Sequence, residues 1–358
     1  MNNGLETRYF LSALTGAGYY ALHRQFLRPP ERYFCILKGG PGCGKSTFLK
    51  RVGDAGSAAG LAVVRLHCAG DPASLDGVYF PEKRSGFFDG TAPHTVDPAP
   101  LRCERRISGS RHVLPHGGAR HGAHPRPERR LRHVPPARAA VPHGGGRARC
   151  ARHAGAGLSR GPGGSAPPGK EHLHAGIRHA GQGLGARPVR AAVLSAITCE
   201  GRIFFPETIA AHCARVYLLD DGCGLAEEFL RIVRAHAVRC GLDVLSCPDP
   251  LIPSRTQAVL VPSRGVGFLA GTPDDVPEGL TQRHIRLDVL PDPVRQRALR
   301  RTMRSDTRQQ QLALASAVEQ LRMANLLHNE LEAVYRPCMD FAALTTFTDR
   351  YLRTFPGT

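Results

Sequence analysis

No apolar run in this chain of 358 residues approaches the roughly 18 residues that a membrane-spanning helix needs. A membrane is therefore not an expected partner. The chain also lacks the charged, apolar and small-residue order of a secretory leader. Its 11 cysteines are odd in number, irregularly spaced and never arranged as Cys-x-x-Cys. Neither a disulfide framework nor a thiol-redox motif is expected. These absences together predict a cytoplasmic protein with reduced thiols.

Other absences are local. Residues 101–190 contain no Asp, Phe, Tyr or Trp, yet hold 17 Arg, one Lys, three Glu and 10 of the 17 His. Their net charge is +15 of the chain's formal +18, which leaves +3 for everything else. No hydrophobic period of 3.6 or 2 runs through the stretch, and Pro breaks its apolar pairs. One reading is a disordered basic linker that meets nucleic acid through its arginines. It has no aromatic residues for base stacking and no recognisable binding module. A second is a His-rich metal segment, but the histidines are scattered with no zinc-ligand spacing. A third is translation out of frame. GC-rich codons read in the wrong frame give much Arg, Ala, Gly, Pro and His and little Asp or aromatic. The out-of-frame reading is favoured, and with it nucleic acid is discounted as a partner despite the sequence pI of about 10.0.

The most specific feature present is residues 39–46, Gly39-Gly40-Pro41-Gly42-Cys43-Gly44-Lys45-Ser46. They match G-x-x-x-x-G-K-[ST], and Thr47 extends the match. The glycines permit a turn whose successive N–H groups surround a phosphate. A helix starting at Lys45 would add its positive end. Lys45 is expected to reach the β- and γ-phosphates and the Ser46 hydroxyl to ligate Mg²⁺. Cys43 is read as a small residue contributing mainly its backbone amide. The context agrees. Tyr33 to Leu37 suits a buried strand, Phe48 to Val52 suits a helix ending near Gly60, and Leu61 to Leu66 reads as the next strand.

A weaker copy of this unit follows at an offset of about 180 residues. Leu11-Ser12-Ala13-Leu14-Thr15 recurs as Leu194-Ser195-Ala196-Ile197-Thr198, and Gly42-Cys43-Gly44 as Gly222-Cys223-Gly224. Gly60-Leu61 recurs as Gly241-Leu242, and Gly86-Phe87-Phe88-Asp89-Gly90-Thr91 as Gly267-Phe268-Leu269-Ala270-Gly271-Thr272. Lys45 becomes Leu225, Ser46 becomes Ala226 and Asp89 becomes Ala270, so the charge, the hydroxyl and an acid are lost together. Asp220-Asp221 replaces Gly40-Pro41, which brings negative charge where phosphate would sit. The second copy is expected to be a pseudo-domain without a triphosphate site. The comparison nominates Asp89 as the acid that holds Mg²⁺ through water or activates the nucleophile. Asp76, whose counterpart is Gln257, is the competitor.

The end of the chain reads as two helices. Leu314, Ala317, Leu321, Ala324, Leu327 and Leu331 form one stripe between Arg308 and Tyr335, and a second helix covers Phe341 to Leu352. The pair is expected to form a hairpin packed on the second domain, with His328, Asn329 and Glu330 as a packing edge and solvated face. The expected class is α/β: a parallel-sheet P-loop domain, duplicated, with a C-terminal helical hairpin and an irregular basic middle. The expected divisions are 1–100 for the nucleotide-binding domain, 101–190 for the middle, 191–290 for the degenerate copy and 291–358 for the helical extension.

The order of residues 34–47, then His67-Cys68, Ser74-Leu75-Asp76-Gly77-Val78 and Asp89-Gly90-Thr91-Ala92-Pro93-His94 with Asp97-Pro98, resembles a family of uncharacterised bacterial ATPases with tandem P-loop domains. The tail His328-Asn329-Glu330-Leu331-Glu332 and Met339-Asp340-Phe341 is similar to that family's C-terminus. The resemblance covers about 10–100 and 191–355 and fails across 101–190, where the family looks helical and acidic. Members of the family can keep a second Gly-Lys-Ser/Thr, which here is Gly224-Leu225-Ala226. The resemblance implies ATP binding and hydrolysis and names no substrate. The expected function is thus an ATP-binding protein with slow Mg²⁺-dependent hydrolysis, a nucleotide-driven switch or motor-like module. ATP is preferred over GTP because no Asn-Lys-x-Asp-like signature occurs in the readable parts. An arginine finger would be needed for fast turnover. Arg51 and Arg84 lie near in sequence, and a second subunit, as in a homo-oligomer, or another protein partner is the other source. The alternatives are a small-molecule kinase, for which no lid motif is found, a non-catalytic ATP-binding scaffold, and a defective gene product. Translating the underlying DNA across 101–190 in the other two frames should yield an amphipathic, acid-containing helical stretch. The out-of-frame reading fails if neither frame does so.

Overall fold

The structure, a computed structural model, describes residues 6–22, 33–91, 189–221, 224–287 and 293–354. The basic stretch up to residue 188 therefore lies outside the described residues, as do Gly222 and Cys223 of the second loop and Ala92 to Pro98 of the family motif.

The first part of the chain supplies β1 (Glu6–Phe10), the hairpin β2 (Ser12–Thr15) and β3 (Gly18–Ala21), then β4 (Tyr33–Leu37), α1 (Lys45–Ala58), β5 (Val63–His67), β6 (Leu75–Phe80) and β7 (Ser85–Asp89). The sheet order is β1-β5-β6-β7-β4. The pairs β4–β7 and β1–β5 are parallel, whereas β6 runs antiparallel to both β5 and β7. The sheet is mixed, which corrects the expectation of a parallel one. The connections explain the difference. Residues 81–84 join β6 to β7 and residues 68–74 join β5 to β6. Neither is long enough for the crossover that parallel neighbours require.

The second part supplies β8 (Arg190–Ala191), the hairpin β9 (Ser195–Thr198) and β10 (Gly201–Phe204), α2 (Pro206–His212), β11 (Arg215–Asp220) and α3 (Ala226–Arg239). There follow β12 (Leu245–Pro248), β13 (Thr256–Val261), β14 (Val266–Leu269) and β15 (Thr281–Arg286). This sheet is ordered β15-β11-β14-β13-β12-β8. Taken from β11, its directions are parallel, antiparallel, antiparallel and parallel. Taken from β4, the first sheet has the same succession.

Local geometry repeats as well. Thr15 Oγ1 donates to the Gly18 carbonyl at 2.7 Å and Thr198 Oγ1 to the Gly201 carbonyl at 2.9 Å, each closing a hairpin through a glycine at positive φ. Helix α1 ends with Leu61 N–H on Gly56 O and Gly60 N–H on Ser57 O. Helix α3 ends with Leu242 N–H on Ala237 O and Gly241 N–H on Val238 O. Both are Schellman closures, and Gly60 and Gly241 take the left-handed conformation they need, at φ +75° and +69°.

The central strands of both sheets are buried on two faces, so they alternate between two cores with period 2, while the edge strands β4 and β15 are partly exposed. In β11, Val216 and Leu218 enter one core while Tyr217 and Leu219 enter the other, against α3. In β7, Phe88 faces inward and Phe87 packs toward α1. The inner core is common to both sheets. It joins Phe10, Leu22, Leu66 and Phe88 to Leu194, Phe205, Ile209, Val216 and Leu260. Phe10 stacks on Phe205 at 4.7 Å, and its amide donates to Val193 O at 2.8 Å. The Thr208 hydroxyl donates to Arg8 O and accepts from Arg8 N–H, and Tyr9 Oη lies 2.7 Å from His212 Nε2.

The C-terminal helices are α4 (Pro293–Tyr335) and α5 (Phe341–Arg353), separated by a 3₁₀ turn at Arg336–Cys338 that contains Pro337. Asp340 caps α5 by accepting from Ala343 N–H at 2.8 Å. Helix α4 meets β9 in the second part of the chain, as expected, whereas helix α5 packs on α1, in the first part. The aromatic faces decide this. Tyr351 meets Phe87 edge-on at 5.4 Å and Phe48 at 6.0 Å, and Arg51 pairs with Asp349. Along α4, Leu314, Ala317, Leu321 and Leu331 are half-buried, while Ala324 and Leu327 of the expected stripe are exposed. Among the described residues no helix is long and apolar enough to cross a membrane.

Because one core serves both sheets, truncating it should weaken both together. Phe10→Ala is expected to lower unfolding stability by about 3–5 kcal/mol while keeping a single transition. Urea unfolding followed by circular dichroism tests this, and two separated transitions would refute the common core.

Candidate functional site

Strands β4 and β7 end side by side, with Leu37 paired to Asp89. The chain leaving β4 is the glycine-rich loop, and it enters α1 at Lys45. Two glycines set the turn. Gly42 has φ +68° and Gly44 φ +84°, values that side chains with a Cβ rarely adopt. Gly44 is also the N-cap of α1, with no side chain to accept from the helix's first amides. The start of α1 therefore offers unsatisfied donors and the positive end of a dipole.

Lys45 folds back across the loop. Its Nζ donates to Gly39 O and Gly40 O, each at 2.9 Å, and lies 3.6 Å from Cys43 Sγ. It also stands 3.6 Å from Asp89 Oδ2, with the two side chains only 10% and 17% exposed. Asp89 Oδ1 in turn accepts from Thr91 N–H at 2.8 Å and from the Thr91 hydroxyl. Ser46 Oγ accepts the Leu75 amide at 3.0 Å, which leaves a lone pair and its own proton uncommitted by that bond. Thr47 is exposed, and Cys43 is buried at 3%.

Asp76 is the least expected element of this geometry. Strand β6 is antiparallel to β7, and Gly77 pairs with Phe88. The next step of the register brings Asp76 opposite Asp89. Asp76 is 4% exposed and hydrogen-bonded to the Cys68 thiol. Burial, together with the charges of Asp89 and Asp71, pushes its carboxyl up to about 7, while the Cys68 bond and Lys45 act the other way. Sequence reasoning ranked it second to Asp89 as the metal-linked acid. The structure makes it a buried carboxylic acid beside Lys45 and Asp89.

A hydroxyl and two carboxylates are hard oxygen donors of the kind Mg²⁺ accepts. Among the described residues no group of three or more His, Cys, Asp or Glu could hold a metal by itself. That donor set fits a metal held mainly by substrate phosphates and water, which is the usual manner of Mg²⁺. It does not fit a structural zinc.

The arginines separate. Arg51 points to Asp349 on α5. Arg84 sits in the β6–β7 turn, at the opposite end of β7 from Asp89, about 15 Å of strand away. Two residues that sequence reasoning missed instead approach the loop from the C-terminal helices. Glu332 Oε1 accepts the Gly42 amide at 3.0 Å, and Leu344 lies so close to Gly44 that an added Cβ would come within 2.5 Å of it. A pocket lined by Leu37, Lys38, Gly44, Lys45, Phe48, Leu344 and Phe347 lies between loop and helix. No spacing in the sequence could signal a contact between Gly42 and Glu332, which are 290 residues apart.

The second sheet carries the corresponding turn from β11 into α3. Asp221 Oδ1 accepts the Leu225 amide at 2.6 Å. Glu227 Oε2 accepts the Thr256 amide at 2.6 Å, one residue before Gln257 as Leu75 is one before Asp76. Gln257 accepts from the Ser195 hydroxyl at 2.9 Å.

Comparison of the chain with protein-family models, with curated proteins and with solved structures returns no match.

The raised Asp76 carboxyl has a definite consequence for stability. Between about pH 4 and pH 7 the folded protein holds a proton that the unfolded chain has released. Stability therefore falls as pH rises through this window and levels off above it. Asp76→Asn should remove that slope and raise stability at about pH 8 by a few kcal/mol. Urea unfolding on both sides of the window measures it, and parallel pH profiles for the two proteins would contradict the assignment.

Proposed function

We propose that residues 39–47 bind the phosphates of a nucleoside triphosphate with Mg²⁺, and that the chain is an ATP-binding protein with slow Mg²⁺-dependent hydrolysis. The observation that carries this reading is the conjunction at one end of one sheet. Two positive-φ glycines open the turn, a helix begins at Lys45, and Lys45 Nζ lies 3.6 Å from an acid on the neighbouring parallel strand. In this reading Lys45 exchanges the Gly39 and Gly40 carbonyls for β- and γ-phosphate oxygens. Ser46 turns its remaining lone pair to the metal. Asp89 holds the metal through water or polarises the attacking water, and Asp76 stands behind it. Ser46 and Asp89 would hold Mg²⁺, whose charge would offset the negative charge of the phosphates.

The finer description of the fold follows from the same reading. The two sheets are two copies of one P-loop-type unit, and the second copy has lost its triphosphate site. What supports this is the common succession of strand directions, the paired hairpin turns and the paired Schellman closures. Leu225, Ala226 and Ala270 stand where Lys45, Ser46 and Asp89 stand in the first copy, and Asp221 occupies the helix start. A cytoplasmic setting agrees with the free cysteines among the described residues. With Arg51 engaged by Asp349 and Arg84 at the far end of β7, neither is placed to act as an arginine finger, and we propose that one supplied by a second copy of this chain or another protein would speed turnover. Hydrolysis without it is slow, which suits a nucleotide-dependent switch.

Lys45→Ala should abolish binding of a fluorescent ATP analogue in the presence of Mg²⁺. Asp89→Asn should keep binding and lower phosphate release by about 10²-fold. Undiminished affinity in Lys45→Ala would overturn the assignment. Phosphate appearing on an added metabolite rather than in water would redirect it to a kinase.

A further inference from the structure

The Glu332 carboxylate sits on a loop amide that a bound phosphate would need. It accepts Gly42 N–H at 3.0 Å, and His328 Nε2 on the preceding turn of α4 lies 3.4 Å from the same oxygen. The approach is close along the backbone too, because a Cβ on Gly42 would come within 3.1 Å of the Glu332 carbonyl oxygen. Leu344 of α5 closes the other side of the turn over Gly44. The end of α4 and the beginning of α5 thus straddle the loop.

A carboxylate and a phosphate oxygen compete for the same donors, namely backbone N–H groups at the positive end of a helix. The second sheet shows the permanent form of this competition. There Asp221, four residues before Leu225 in the same turn, holds the amide at the start of α3. In the first sheet the carboxylate comes from a separate helix, 290 residues away in sequence. The geometry points to an autoinhibitory plug: Glu332 occupies the phosphate seat of the 39–46 loop, and nucleotide binding displaces it together with the α4–α5 junction. The plug rests on the proposed triphosphate site and gives it an output, because the 43-residue helix α4 is mostly exposed and would move with its end.

Displacing a plug consumes part of the binding free energy, so apparent affinity is reduced by the fraction of open loops. Removing the carboxylate should restore it. Glu332 is 38% exposed on a helix, and alanine is a good helix former, so Glu332→Ala should fold. Two measurements on the full chain decide the matter: hydrogen exchange of residues 39–46 without nucleotide, and Mg²⁺–ATP affinity. Glu332→Ala should speed exchange at Gly42 and tighten Mg²⁺–ATP about tenfold, with Glu332→Gln between it and wild type. Lys45→Ala should abolish binding in either background. Unchanged exchange, or affinity that stays equal or weakens, overturns the plug, while dependence on Lys45 would still uphold the triphosphate site. No Mg²⁺–ATP binding by either wild type or Glu332→Ala overturns both.

Discussion

The amides at the start of a helix have no acceptor inside it. This chain answers that constraint three ways, and much of its architecture follows from the answers. Asp340 caps α5 from within its own turn, as an ordinary N-cap does. Asp221 performs a similar service for the turn entering α3. The turn entering α1 has glycine at its N-cap and no acceptor of its own. Its donors are left to something brought from elsewhere, and the chain brings Glu332 from another helix. A turn with a local acceptor is finished structure. A turn that lacks one leaves its donors open to an acceptor from elsewhere.

The same contrast governs the charges. Lys45, Asp89 and Asp76 cluster at one end of the first sheet in an environment that exposes little of any of them. Burial, with the neighbouring charges of Asp89 and Asp71, keeps Asp76 near the boundary between acid and anion. In the second sheet the counterpart is Gln257, a neutral group satisfied by Ser195. A fold that needs only a polar contact at this position can have it without an ionisable group. The first sheet carries an ionisable group there, next to a cation and a second acid.

Much of this was legible in the sequence where the determinants are local. The strand Tyr33–Leu37, the helix beginning at Lys45 and its closure at Gly60 depend on apolar runs and on glycines at fixed offsets, which a linear reading can see. Asp89 at the end of its strand was legible through the comparison with Ala270. The antiparallel β6 was not, although the short connections at 68–74 and 81–84 contained the reason. Asp76 was underrated because a turn and a buried strand start look alike in Ser74-Leu75-Asp76-Gly77. The docking of α5 was misread because the stripe on α4 says that a face is buried and nothing about what covers it. The partner choice lies in Phe48, Phe87 and Tyr351, residues from three elements that no periodicity connects.

Ser46 shows how chemistry and scaffold are entangled. Its hydroxyl holds the Leu75 amide at the mouth of β6, so deleting it takes away a structural bond as well as a possible metal ligand. The second sheet has Ala226 at the matching position, yet the matching amide, that of Thr256, is still held, now by Glu227 one residue further on. The same kind of backbone demand is met here by a carboxylate. A carboxylate at this point would repel phosphate where a hydroxyl accommodates it. Asp221 and Glu227 place two acids beside this turn. In the first sheet the Gly42 amide is held instead by Glu332, from a helix outside the loop.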